Sequence, residues 1–268
     1  MKEQVRIEVA GLAVRVHSDD GEFLAQVADR YEGFLQQTPD CAAEYCFAVK
    51  TDEGLPAGSE VSPAVTGRPK WYRLVRRDFE VEVLPDERKM HGIIARNLYS
   101  FDSLLRVFFS VALLDLDGLL LHSCAAVEGS RAFAFFGVSG AGKTTTARLS
   151  LPQYPVLSDE LTVIRQVGGE HRAFGTPFWG EMQKNGANVS AKLGGLMQLV
   201  KDTETRLVPL RPVPALQRLL PCVLFFARQE ELVQRAVDIC CRLVQDVPVY
   251  EMHFLPDASF WRLVKDVP

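Results

Sequence analysis

Apolar and polar residues alternate on either side of Gly11: Val5, Ile7 and Val9 keep the apolar phase before it, and Leu12, Val14 and Val16 after it. This period of two predicts a hairpin of half-buried strands over residues 5–17. The period then changes. After Asp19 and Asp20, the residues Phe23, Leu24, Val27, Tyr31 and Leu35 recur at helical spacing, which predicts a helix over residues 22–36 behind an aspartate N-cap. Residues 44–50 and two runs within 71–84 return to strand patterning. Between them, residues 51–69 are rich in Gly, Pro, Ser and Glu and predict a long surface connection.

The next segment is more apolar. Leu104, Leu105, Phe108, Phe109, Ala112 and Leu113 predict a strongly apolar helix over residues 101–114, capped by Ser100 or Asp102 and leading into a second unit. Two apolar runs, 119–127 and 132–136, flank Glu128-Gly129-Ser130, a sequence suited to a tight hairpin turn. A short helix stopped by Pro152 and a short strand at 156–157 come next. A second hairpin is predicted across Gly168-Gly169, from 161–166 to 171–174. The last third predicts strands at 196–200 and 249–254 and helices at 214–220, 230–244 and 259–264. No internal repeat or low-complexity segment is visible.

The stretch Gly137-Val138-Ser139-Gly140-Ala141-Gly142-Lys143-Thr144 meets the spacing G-x-x-x-x-G-K-[ST] in full. A strand predicted before it and a helix after it would let its backbone N–H groups converge on phosphate oxygens. Gly137, Gly140 and Gly142 permit backbone conformations that a side chain forbids. Lys143 would place a compact positive charge on the β- and γ-phosphates, Thr144 would offer its hydroxyl to Mg²⁺, and Thr145 would follow on the nucleotide. The expected cofactors are therefore ATP and Mg²⁺. Asp159 comes only sixteen residues after Lys143, at the end of the next predicted strand, where an enzyme of this kind keeps a metal-binding Asp. Asp159-Glu160 could also be a solvated turn. His122 interrupts an otherwise apolar strand paired with the one entering the loop. Taken alone it reads as a core histidine, but that pairing would bring it within reach of the terminal phosphate.

Composition narrows the setting. At 268 residues the chain can bury a large core without disulfide or metal staples. A net charge of −4 and a pI near 5.8 argue against nucleic acid as a partner. The charged start, Met1 to Arg6, lacks a secretory pattern, and the most apolar stretch is interrupted by Arg106, Asp115, Asp117 and His122. The expectation is a cytoplasmic protein with no membrane partner, its oligomeric state left open. Cys41, Cys46, Cys124, Cys222, Cys240 and Cys241 show no paired zinc spacing and read as reduced thiols.

Over about residues 100–265 the sequence resembles HPr kinase/phosphorylase and its shorter relatives, whose nucleotide domain is similar to that of phosphoenolpyruvate carboxykinase. The resemblance rests on Leu119-Leu120-Leu121-His122, the loop, Val156-Leu157-Ser158-Asp159-Glu160, the block from Phe174 to Glu181, Val247-Pro248-Val249-Tyr250 and Ser259-Phe260-Trp261. It implies an α/β protein with a mixed-sheet P-loop kinase domain over 96–268; residues 1–95, outside the resemblance, read from their own patterning as a small α+β domain. It also implies ATP-dependent transfer to a serine of a peptide or small protein, and leaves the unmatched residues 1–95 as the candidate part for reading the acceptor. Carried over, His122, Asp159 and Glu160 surround the transferred phosphoryl group. Glu181 lies on the substrate side, and Lys184 is a further phosphate contact. Glu160 stands where the family usually has Asp. The Gly- and Arg-containing segment tied to the family's reverse reaction is missing, which argues against phosphorolysis. Two alternatives remain: a kinase for a small alcohol or amino acid, and a nucleotide-dependent switch without transfer activity.

Overall fold

A computed structural model describes residues 4–35, 41–56, 58, 61–68 and 70–268, and every statement below concerns these residues. The end of the predicted first helix at Gln36, parts of the predicted 51–69 connection and the start of the chain lie outside them. By compactness the chain divides into a first unit, 1–113 with 225–235, and a second, 114–224 with 236–268. Each carries a mixed sheet, so the protein is of mixed α/β class.

In the first unit, β1 (Gln4–Val9) and β2 (Leu12–His17) form the predicted hairpin. α1 (Gly21–Arg30) follows, with the Asp20 carboxylate accepting from Phe23 N. It stops short of the predicted end: Tyr31 caps it, and a 3-10 turn at Glu32–Phe34 takes over around Gly33, a poor helix former. β3 (Ala43–Asp52), β4 (Ala64–Arg68), β5 (Trp71–Arg76), β6 (Phe79–Leu84) and β7 (Lys89–Ala95) complete a sheet in the order β1-β2-β3-β7-β6-β5-β4. β4 falls inside the predicted connection. Only Val65 in it is buried, so this edge strand is held by its ladder to β5 and carries no apolar alternation to betray it.

α2 (Leu98–Ala112) starts earlier than predicted, because Asn97, rather than Ser100 or Asp102, caps it. The Ser100 hydroxyl donates to Asp78, and Asp102 accepts from Arg30, Tyr31 and Arg106. By compactness the first unit runs to Leu113 and takes in α2, beyond the expected boundary near residue 95. Phe101 meets Phe23 and Tyr31 edge to face, and Phe108 meets Tyr45 in the same way, so the helix completes this unit's core. Residues 225–235 return to it through a bridge between Val65 and Ala227.

The second unit begins with the predicted hairpin of β8 (Gly118–Glu128) and β9 (Arg131–Phe136), turning at Gly129-Ser130. α3 (Lys143–Ser150), β10 (Val156–Ser158), β11 (Leu161–Val167) and β12 (Glu170–Phe174) follow. β13 (Ser190–Lys201) is much longer than expected, and β14 (Arg206–Pro209) is an edge strand with no buried residue to announce it. α4 (Pro212–Leu219), α5 (Glu230–Asp246), β15 (Val249–Phe254) and α6 (Trp261–Val264) close the chain. The strands β8, β9, β13, β12 and β11 each pair with the next, and β11 pairs back to β8, so the circuit closes. β9 runs parallel to β13 and antiparallel to β8. Phe133, Phe135, Met197, Met252, Phe254, Phe260 and Trp261 form a core under α3. No helix is long and apolar enough to cross a membrane.

Candidate functional site

β9 is buried from Ala132 onward and delivers the chain into the glycine-rich loop after Phe136. A Cβ on Gly137 would meet the Cβ of Ala141 at 2.7 Å, which excludes any larger residue at the loop's entry. Gly140 and Gly142 lie at φ +78 and +113°, conformations that glycine adopts without steric cost. Gly142 also lies close to the Phe254 ring, whose Cζ is 2.9 Å from where a Cβ on Gly142 would be. It caps α3 with no side chain, so the first amides of that helix keep free donor capacity and the positive end of its dipole. The other end is tied down: Trp261 Nε1 donates to Ser150 Oγ at 3.0 Å, and Ser150 Oγ donates to Thr146 O.

Above the loop lies a cavity of about 460 Å³. Ser139, Gly140, Gly142, Lys143, Thr144 and Thr145 line it from the loop, and His122, Glu160, Gly180, Glu181 and Lys201 complete its walls. Gly137, Val138 and Ala141 do not line it. Val138 is 69% exposed, and Ala141 packs onto the core. Lys143 is only 7% exposed, and its Nζ donates to the carbonyl oxygens of Gly137 (3.0 Å) and Val138 (3.3 Å). Neutral carbonyls orient the ammonium but leave its charge uncompensated, an arrangement suited to an anion. Among the described residues the Thr144 hydroxyl, which lines the cavity, has no hydrogen-bond partner.

His122 and Glu160 form a half-buried pair, with Nε2 3.3 Å from Oε1. The pairing of β8 with β11 sets His122 opposite Leu161, next to Glu160, and Ser123 N donates to Glu160 O at 3.1 Å. The Ser158 hydroxyl accepts from Glu160 N and Leu161 N, fixing the corner between β10 and β11.

Asp159 does not join them in that cavity. Residues 159 and 160 form the bend between β10 and β11; Glu160 lines the loop cavity and Asp159 lines its neighbour. Asp159 still reaches the wall of the loop cavity, because its carboxylate oxygen lies 2.7 Å from where a Cβ on Gly180 would be. The Asp159 carboxylate is buried and accepts from Gly180 N (3.3 Å) and Met182 N (2.9 Å), fastening the turn that carries Glu181. It lines a neighbouring cavity of about 450 Å³, together with Lys184, so Lys184 is not a contact of the loop cavity either.

Two residues near the loop were missed by pattern reading. Lys201 ends β13 one residue beyond the predicted strand, and its only sequence signal is that position. Cys222 is buried, and burial pushes its thiol up, opposed by the Lys143 charge and a backbone hydrogen bond from Gly137. No protein-family model matches the chain, and no curated protein matches it significantly.

Proposed function

We propose that this protein is an ATP-dependent kinase that transfers the γ-phosphoryl group to a serine hydroxyl of a peptide or small protein, on a nucleotide unit of the HPr kinase/phosphoenolpyruvate carboxykinase type. The observation that carries the reading is a single cavity in which Lys143 and Thr144 of the loop face the His122–Glu160 pair. Phosphoryl transfer needs positioning and charge stabilisation more than covalent chemistry, and these are the parts such a site requires.

Bound Mg-ATP would supply the phosphoryl group to be transferred. The residues present fit it: uncapped amides at the start of α3, a buried lysine held only by carbonyls, and the free Thr144 hydroxyl as an oxygen for Mg²⁺. The Glu160 carboxylate orients His122, and the pair takes the proton from the acceptor hydroxyl. Glu181 stands on the rim where the acceptor enters. Asp159 is a positioning residue, acting through the Gly180–Met182 turn.

Melting with and without Mg-ATP tests the binding half. A ligand at a hundredfold its Kd adds about 2.7 kcal/mol to the folded state, or roughly 5 °C or more for a chain of this size. Lys143→Ala should remove most of that shift. Labelled ATP and candidate acceptor peptides then test transfer, the expected product being an acid-stable phosphoserine. A wild-type melting temperature unmoved by millimolar Mg-ATP would sink the proposal.

A further inference from the structure

The geometry points to Lys201 as a second phosphate-holding cation, gripping the β,γ-phosphate chain from the flank opposite His122 and Glu160. This inference rests on the kinase reading and names a residue that reading does not use. It starts from strand order. β9, which feeds the loop, has β8 on one edge and β13 on the other. β8 brings His122 to the cavity, with Glu160 beside it. β13 therefore approaches from the other side.

Register then sets the height. Gln198 pairs with Phe136, the last residue of β9, so Leu199, Val200 and Lys201 continue past its end, about 10 Å farther at the rise of a strand. They run alongside the loop: Leu199 backs Gly137, its carbonyl oxygen 3.7 Å from where a Gly137 Cβ would be. Lys201 is itself held in register with Phe254, whose ring closes on Gly142. The backbone of Lys201 is thus fixed against the loop through both its first and its last glycine, and the side chain lines the cavity.

The charge of Lys201 is free for a ligand. Among the described residues it makes no hydrogen bond and no ion pair, and the adjacent Asp202 is engaged by His253 (2.8 Å) and Arg206 (2.9 Å). A solvated surface lysine is the ordinary state of such a residue. What sets Lys201 apart is its place on the wall of a cavity whose other cation, Lys143, sits below. An ammonium on a long flexible stem can meet phosphate oxygens without demanding the planar geometry a guanidinium does. With Lys143 beneath and Lys201 on one flank, the terminal phosphoryl group is directed toward His122 and Glu160. Charge spreading over its oxygens during transfer then meets cations on two sides.

The test titrates the full-length protein with Mg-ATP by calorimetry, for wild type, Lys201→Gln, Lys201→Arg and Lys143→Ala. Loss of one charge-assisted hydrogen bond weakens binding about tenfold, so Lys201→Gln should raise Kd by that factor, and Lys201→Arg should recover most of it. The Lys201 variants should melt like wild type in the absence of nucleotide, because the side chain is exposed and unpaired. If wild type binds, Lys143→Ala abolishes binding and Lys201→Gln binds like wild type, the assignment of Lys201 is overturned and the kinase reading stands. A Lys201→Gln variant with unchanged Kd but a raised KM for the acceptor also overturns it. Failure of wild type to bind Mg-ATP removes both readings together.

Discussion

The two units treat buried charge in opposite ways. In the first, Asp78 is fully buried, and its carboxylate accepts from both Nε and Nη2 of Arg76 (2.6 and 2.7 Å) and from the Ser100 hydroxyl. Arg96 similarly forks onto Asp20, which also caps α1 and accepts from Thr51. Every one of these charges has an opposite partner close by, so nothing is left over for a ligand. In the second unit Lys143 is nearly as buried and meets only carbonyls, while the Thr144 hydroxyl and the first amides of α3 have no side-chain partner. Burial with full compensation builds structure. Burial without it costs stability and is kept where a ligand completes the set.

The sharpest way to break this contrast is to alter charge in the second unit and look for loss of rate rather than loss of fold. Glu160→Gln keeps volume but removes a proton-accepting carboxylate, and His122→Ala removes its partner. Each should lower the transfer rate by about 10² to 10⁴, with Mg-ATP affinity changed by no more than a few-fold. Because the two act as one pair, the double variant should be no worse than the poorer single one. Multiplying effects would mean that they work separately.

The converse belongs to the first unit. Asp78→Ala strands the Arg76 guanidinium, whose side chain is 5% exposed, and breaking a buried pair by removing one partner costs about 3–5 kcal/mol. The lower end is expected here, since Arg76 also lies over the rings of Phe79 and Tyr99. Denaturant unfolding should register the loss, while the Kd for Mg-ATP of the folded variant stays within about twofold. A Kd that rises with the instability would show that the two kinds of buried charge are not separable.

What the sequence made legible follows the same division. The glycine-rich loop was plain because its spacing answers to a chemical demand that sequence records directly, and the flanking strand and helix came with it. The β8–β9 hairpin and β15 were equally readable, from unbroken apolar runs between turn residues. β4 and β14 were invisible, because an edge strand held by backbone ladders leaves almost no side-chain pattern. The acidic pair shows the limit within the site. Two consecutive carboxylates can be found by spacing, but which one faces the loop depends on where β10 turns, and the Ser158 hydroxyl that sets the corner signals nothing in one dimension. Lys201 was hidden for a related reason: only the parallel register of β13 with β9 carries it to the cavity.

The smallest expected effect is a pH dependence, and Asp78→Asn picks out the first unit's share of it. Arg96 holds the carboxyl of Asp20 well below its ordinary value, with the Phe23 amide and Thr51 hydroxyl helping against burial. For Asp78, burial alone would push the pKa up, but hydrogen bonds from Arg76 and Ser100 outweigh it and the net shift is downward. A carboxyl whose pKa is lower folded than unfolded stabilises the fold fully above the unfolded value. That contribution fades as pH falls toward the folded value, because the unfolded chain takes up the proton first. Stability contributed by these two groups should therefore be flat from neutral pH down to about 4, near the ordinary carboxyl range, and decline below it. Denaturant melts between pH 7 and 3 measure this in the wild type. In Asp78→Asn the acid slope should be shallower, because one of the two linked carboxyls is gone. An identical slope in wild type and Asp78→Asn would mean that Asp78 does not gain its stabilisation as the ionised partner of Arg76, and the reading of the first unit as a set of internally compensated charges would lose its main support.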